Sequence, residues 1–101
     1  MEIHIKTIGL PGAKKLRSIA TARIGAALGR VGHAVQSVTI RLSGMHKPLG
    51  VADKLCRVVL TLRGDAVLVI EELGSNILQA IERAAERLRL RVSRQLSRAH
   101  S

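Results

Sequence analysis

The chain has 101 residues, the length of one domain, and 47% of them are apolar, which is too many for a disordered segment. Phe, Tyr and Trp are all absent, so the core must be aliphatic and recognition by stacking bases on aromatic rings is excluded. Net charge is +10, which points to a polyanionic partner, most often nucleic acid.

Ile3 and Ile5 alternate with His4 and Lys6, which predicts a half-buried strand over 1–8. Gly9-Leu10-Pro11-Gly12 reads as a turn. The period then becomes helical over 13–28, where Leu16, Ile19, Ala20, Ile24, Ala27 and Leu28 share one face. Lys14, Lys15 and Arg17 crowd its first turns, where they oppose the helix dipole, and Arg23 and Arg30 lie near one edge. Gly29 and Gly32 end this helix. Three strands follow, over 35–42, 54–63 and 66–71. In the first, Val38, Ile40 and Leu42 alternate with Ser37, Thr39 and Arg41; in the second, Cys56, Val58, Leu60 and Leu62 alternate with Arg57, Thr61 and Arg63. A loop over 43–52, holding Gly44, Pro48 and Gly50, separates those two, and Gly64-Asp65 turns the chain into the third. Gly74 breaks that strand. Ser75 or Asn76 then caps a helix over 75–98, with Asn76 and Gln79 spaced as a capping box. The order β-α-β-β-β-α predicts an α+β two-layer sandwich, a four-stranded sheet with two helices packed on one face, forming a single domain over 1–101.

The last helix carries the strongest functional signal. At 100° per residue, Ile77, Ile81, Ala84, Ala85, Leu88, Val92 and Leu96 form an apolar stripe. Arg83, Arg87, Arg91, Arg94 and Arg98 gather on one flank of it, and Glu82 and Glu86 on the other, near Arg89. The five arginines are not interleaved with acids along the helix, and like charges four apart cost a few tenths of a kcal/mol each. The charge is also uneven along the chain: +5 over 1–33, +1 over 34–74 and +4 over 75–101. The excess therefore belongs to the helical segments. Lys14, Lys15, Arg23 and Arg30 join the five arginines as candidate phosphate contacts. Lys6, Arg41, Arg57 and Arg63 on the open sheet face are a rival surface, and a solvated basic face is the plain alternative.

Other motifs explain less. Gly9-Leu10-Pro11-Gly12 matches the GxxG loop of KH domains but lacks the flanking helix before it. Arg63-Gly64-Asp65 is a hairpin turn. His4, His33, His46 and His100 are scattered without metal-ligand spacing, and Asp53 beside His46 is a polar loop pair. Neither a phosphate-binding glycine loop nor a nucleophile elbow is present, so no enzymatic activity, cofactor or small-molecule substrate is expected. Cys56 lies in an apolar strand, a buried inert thiol that fits a reducing compartment. No stretch reaches the ~20 apolar residues of a membrane span, and the first helix, although basic and amphipathic, has no interfacial aromatics. With no signal-peptide layout at the start, the expected location is cytoplasmic.

Order, length and charge resemble the ribosome hibernation-promoting factor family, also called ribosome-associated inhibitors or sigma-54 modulation proteins, in its short form. LQAIERAAERL is similar to the family's Y-A-A-I-D-x-A-x-D-[KR]-L, with Ala80, Ile81, Ala84, Arg87 and Leu88 on matching positions. VTIRLSGMHKPLGVADKLCRV is similar to a subgroup's LSDxNGPxGGxDKxC, with Leu42, Ser43, Pro48, Gly50, Asp53, Lys54 and Cys56 matching. Gly44 and His46 stand where that subgroup has Asp and Asn, and Leu90 and Ser93 where the family often has basic residues. The resemblance implies a partner, the small ribosomal subunit, bound through basic residues of both helices in the mRNA and tRNA channel, with translation blocked in resting cells. By position it assigns Arg87 and Arg94 to that contact. It also implies that this short chain lacks the domain with which long forms pair ribosomes; its own oligomeric state stays open. The older family name keeps one alternative alive, a basic regulator docking on an acidic protein.

Overall fold

The computed structural model describes residues 1–44 and 53–100, with side chains through Arg98. Its elements are β1 (Glu2–Ile8), α1 (Ala13–Ala27), a short 3-10 turn (Gly32–Ala34), β2 (Val35–Gly44), β3 (Lys54–Leu62), β4 (Val67–Gly74) and α2 (Ile77–His100). The sheet order is β1-β2-β3-β4. β1 runs parallel to β2, and α1 supplies the crossover that a parallel pair needs. The pairs β2–β3 and β3–β4 are antiparallel.

Alternation decides which face is covered. Ile5, Ile40, Val58 and Ile70 are cross-strand partners on the inner face. Leu42, Cys56, Leu60 and Leu68 join them, and the helices close over this layer with Leu16, Ala20, Ile24 and Leu28 of the first helical segment and Ala80, Ile81, Ala84, Ala85, Leu88 and Val92 of α2. No polar or charged side chain is buried among the described residues. Apart from Cys56 the core is aliphatic, as a chain without aromatic residues requires.

The two turns follow from local chemistry. Between β3 and β4 the chain reverses over Arg63-Gly64-Asp65, where Gly64 (φ 95°) and Asp65 (φ 70°) both take the left-handed backbone that glycine and short polar residues tolerate. Leu62 N–H donates to Ala66 O at 2.8 Å and closes the hairpin. Between β4 and α2, Asn76 is the cap: its Oδ1 accepts from Gln79 N at 2.9 Å. Gln79 Oε1 reaches back to Ser75 N at 2.9 Å rather than to the cap's own N–H, so the expected capping box closes one residue earlier.

The expected boundaries shift in consequence. β2 runs on to Gly44, so Ser43 and Gly44 are strand rather than loop, and β3 stops at Leu62. Gly74 does not break β4 but ends it, paired with Lys54, and α2 begins at Ile77 and runs to His100. His46, Pro48 and Gly50 lie outside the described residues, as does the His100 side chain. Gly74 is needed for a steric reason instead. A Cβ there would meet Ala80 N at 2.7 Å and Asn76 O at 2.8 Å, both backbone atoms of the α2 start. Gly74→Ala should therefore lower stability by about 1–3 kcal/mol, read as a fall in the urea midpoint at constant m-value. Gly25→Ala in α1 is the opposite control: its added Cβ meets nothing within 4 Å, and removing a helical glycine should raise stability by roughly 0.5–1 kcal/mol.

Candidate nucleic-acid interface

The buried seam of α2 fixes how that helix is rotated on the sheet, and the rotation places its arginines. Ala80, Ile81, Ala84, Ala85, Leu88 and Val92 face inward. The arginine flank then begins beside β4. Arg83 Nη1 donates to Leu73 O at 2.8 Å, and Arg87 Nη1 lies 3.5 Å from Glu72 Oε2. Further along, Arg91 and Arg94 make no ion pair among the described residues. Arg87, Leu90, Arg91, Arg94, Gln95 and Arg98 line one open cleft of about 560 Å³. Val92 is the last buried residue of the helix among those described, and no acid follows Glu86 in the chain. A cation in the final turn complements the helix dipole, which accounts for Arg98. It does not account for Arg91 or Arg94, which lie before that turn.

The opposite flank of α2 is neutralised. Glu82 Oε1 sits 3.0 Å from Arg23 Nε of α1. Glu86 accepts from Arg89 Nη2 at 2.7 Å and from Nε at 3.2 Å. The Arg89 guanidinium holds the Glu86 carboxyl below its ordinary range, so this pair stays ionised throughout neutral pH. Arg30 lines a separate cleft of about 380 Å³ with Ala26, Val31, Arg89 and Ser93.

Lys14 and Lys15 stand at the other end of the helical layer. Lys15 lines a cleft with Pro11, Leu16, Asn76 and Leu78, beside the start of α2. The α1 cap is Gly12, with no side-chain cap and no acid in the first turn, so the positive end of that helix and two lysines point to the same region.

The nine candidate residues thus divide into three groups and do not converge on one site. Arg87, Arg91, Arg94 and Arg98 share a cleft, with Arg83 tied to β4 beside it. Lys14 and Lys15 sit near the far end of α2. Arg23 is paired, and Arg30 opens onto the neutralised flank. Within α2 the arginines are free of interleaved acids, but β4 supplies one from outside, Glu72. Helical geometry alone had no means of finding it; the Glu71-Glu72 pair in the strand feeding α2 was the available signal. Gln95 and Leu90 complete the cleft; Leu90 stands where the family resemblance puts a basic residue, whereas Gln95 carried no signal in the sequence.

On the sheet, Lys6, Arg41 and Arg57 project from the open face. Arg63 does not join them: its Nε donates to His33 O at 2.8 Å and its backbone N–H to Ala34 O, binding the hairpin to the segment before β2. Cys56 is buried, and desolvation pushes its thiol up to about 12, so it is protonated and unreactive in the folded chain. Asp53 is held below the usual carboxylate range by its hydrogen bond from Lys54. Among the described residues, no three His, Cys, Asp or Glu side chains converge to hold a metal. No described helix is long and apolar enough to cross a membrane.

The arrangement defines a small α+β sandwich whose second helix carries a cationic flank. Two solved structures share this fold. The Protein Y N-terminal domain of Thermus thermophilus superposes with a TM-score of 0.72 at 22% identity, covering 93% of this chain and 98% of that one. A ribosomal subunit interface protein from Coxiella burnetii superposes with a TM-score of 0.78 at 13% identity, covering 96% and 99%. No protein-family model matches the chain, and no curated protein matches it significantly. The structural likeness shows the fold, the one that the sequence resemblance implies.

Because Glu72 is the carboxylate beside Arg87, Glu72→Gln should release a cation into the cleft. A labelled RNA oligonucleotide followed by fluorescence anisotropy should bind about two- to fivefold more tightly, the range of an exposed ion pair. Unchanged affinity would mean that Glu72 does not restrain Arg87.

Proposed function

We propose that the chain is a non-enzymatic RNA-binding protein of the ribosome, a hibernation factor that binds the small subunit, contacts rRNA phosphates through its basic helix faces and occludes the mRNA and tRNA channel. One observation carries this reading: the arginine run Arg87, Arg91, Arg94 and Arg98 along a single cleft. At 1.5 Å per residue the run spans ~16 Å, long enough to follow several phosphates of one strand. Arginine suits the task because its planar fork pairs with phosphate oxygens at two points. With no aromatic residue anywhere, contact falls to backbone charge and shape rather than to base identity.

The fold likeness supports the same partner. One neighbour is named a ribosomal subunit interface protein and the other Protein Y, and both align over nearly their full length. Lys14 and Lys15 offer a second point of contact at the opposite end of the helical layer, which suits a long groove between RNA segments better than a compact ligand.

Sedimentation of cell extracts on a sucrose gradient tests the reading. The protein should travel with small subunits, and Arg87→Ala/Arg91→Ala/Arg94→Ala should move it to the top of the gradient, with affinity reduced well over tenfold and thermal stability unchanged. If about five phosphates are neutralised, log affinity should fall with log salt at a slope of roughly −3 to −5. Comigration with an acidic protein that survives nuclease treatment would replace this function with the regulatory alternative.

A further inference from the structure

The open face of the sheet carries a second cationic array that the helices do not share. Lys6 pairs with Arg41 across β1 and β2, and Arg41 pairs with Arg57 across β2 and β3. All three project away from the helices, because the row beside them (Ile5, Ile40 and Val58) is the inner face. All three are exposed. Like charges directly opposite one another on adjacent strands destabilise a sheet. Two such juxtapositions stand side by side here, and the relief is slight: Glu71, the next residue in the row, approaches Arg57 only to 3.9 Å. Lys6 and Arg41 make no ion pair among the described residues, and the stretch 45–52 contains no carboxylate.

We infer that this row is a second RNA-binding surface, holding the phosphate backbone of a segment separate from the one at α2. The row crosses three strands and so spans about 10 Å between backbones, with long side chains able to bracket consecutive phosphates. Thr39 and His4 in the next row, and Ser37 and Thr61 beyond, add hydroxyl and imidazole groups of the kind that contact sugar and phosphate, and Glu2, paired with Ser37 and 3.6 Å from His4, bounds the patch at that corner. The row ends at β4, where Glu71 and the exposed Val67 and Val69 replace cations. The surface is therefore a patch confined to β1, β2 and β3. The sheet itself lies between this row and the arginine cleft, so the two arrays face opposite ways, and the protein would bridge two RNA segments. The inference rests on the chain being an RNA binder but on none of the helix residues.

A fluorescein-labelled uridine 12-mer tests it, with stoichiometry and salt slope as readouts. Wild-type protein should bind two oligonucleotides. Lys6→Ala/Arg41→Ala/Arg57→Ala should bind one, with the lost site worth about 2 units of total salt slope and thermal stability equal or raised, since a repulsion is removed. The triple variant Arg87→Ala/Arg91→Ala/Arg94→Ala should also retain one site, on the sheet. If the sheet variant keeps both sites, the inference is overturned while the helix site stands; if only the helix variant keeps both, the helix site falls and the sheet site stands. Loss of self-association without loss of RNA binding in the sheet variant, read by analytical ultracentrifugation, would assign the row to a second copy and overturn the inference as well. Photo-crosslinking of unaltered protein to a 4-thiouridine 12-mer gives an answer independent of folding: adducts on β1–β3 peptides support the surface, and adducts confined to the helices overturn it.

Discussion

The docking of α2 on the sheet is the constraint from which the rest follows. Its seam of Ala80, Ile81, Ala84, Ala85, Leu88 and Val92 admits one rotation, because a turn of 100° in either direction would bury arginines or glutamates against Val58 and Ile70. The start of the helix is pinned as firmly, by the Asn76 cap and by the backbone approach that only glycine permits at 74. Position and rotation together bring the arginine flank alongside β4 and turn the glutamate flank toward α1. Three alanines in the seam keep α2 close to its neighbours, so the long side chains on either flank reach the adjacent strand and helix rather than hanging in solvent alone.

Much of this was legible in the residues. Alternation located β1, β2 and β3, since one face of the sheet is buried and the other open, and the Gly64-Asp65 turn announced β4. Helical periodicity located the core residues of α1 and α2 for the same reason, except Ala80, which is buried although a helical wheel puts it on the arginine side. The boundaries were less legible because they depend on pairing across the sheet: Gly74 looks like a breaker in one dimension, yet it closes a strand in three. The arginine flank could be drawn on a helical wheel, but its partition could not. Arg83, Arg87 and Arg91 share one flank of that wheel, and the neighbouring strand distinguishes them, through the Leu73 carbonyl for one and the Glu72 carboxylate for the next. Arg63 was misplaced on the open face because alternation was carried one residue past the end of β3.

The acids matter more than their number suggests. Of seven carboxylates in the chain, Glu72, Glu82 and Glu86 all engage arginines around the α2 layer. Exposed pairs of this kind add little to stability, about 0–1 kcal/mol each. Their larger effect is on distribution: they quench Arg23, Arg89 and part of Arg87, and leave the positive potential concentrated toward the end of α2. A uniformly basic surface would bind any polyanion along its whole length. A surface with its charge removed from one flank presents a directed stripe, and direction is what phosphate contacts can contribute where base contacts cannot.

The same reasoning sets the limits of selectivity. Without aromatic rings there is no stacking platform, so in the proposed function discrimination among RNAs would come from the geometry in which phosphates are displayed. A rigid helix holding arginines at fixed spacing suits such geometry, because the backbone entropy of spacing them is met by folding and only their side chains are ordered on binding. The like-charge repulsion along that helix, a few tenths of a kcal/mol for each neighbouring pair, is a standing cost that an anionic strand would relieve. In the proposed function that cost would be relieved when phosphates occupy the stripe, so the feature that slightly destabilises the isolated protein would also favour its seating on an RNA groove of matching shape.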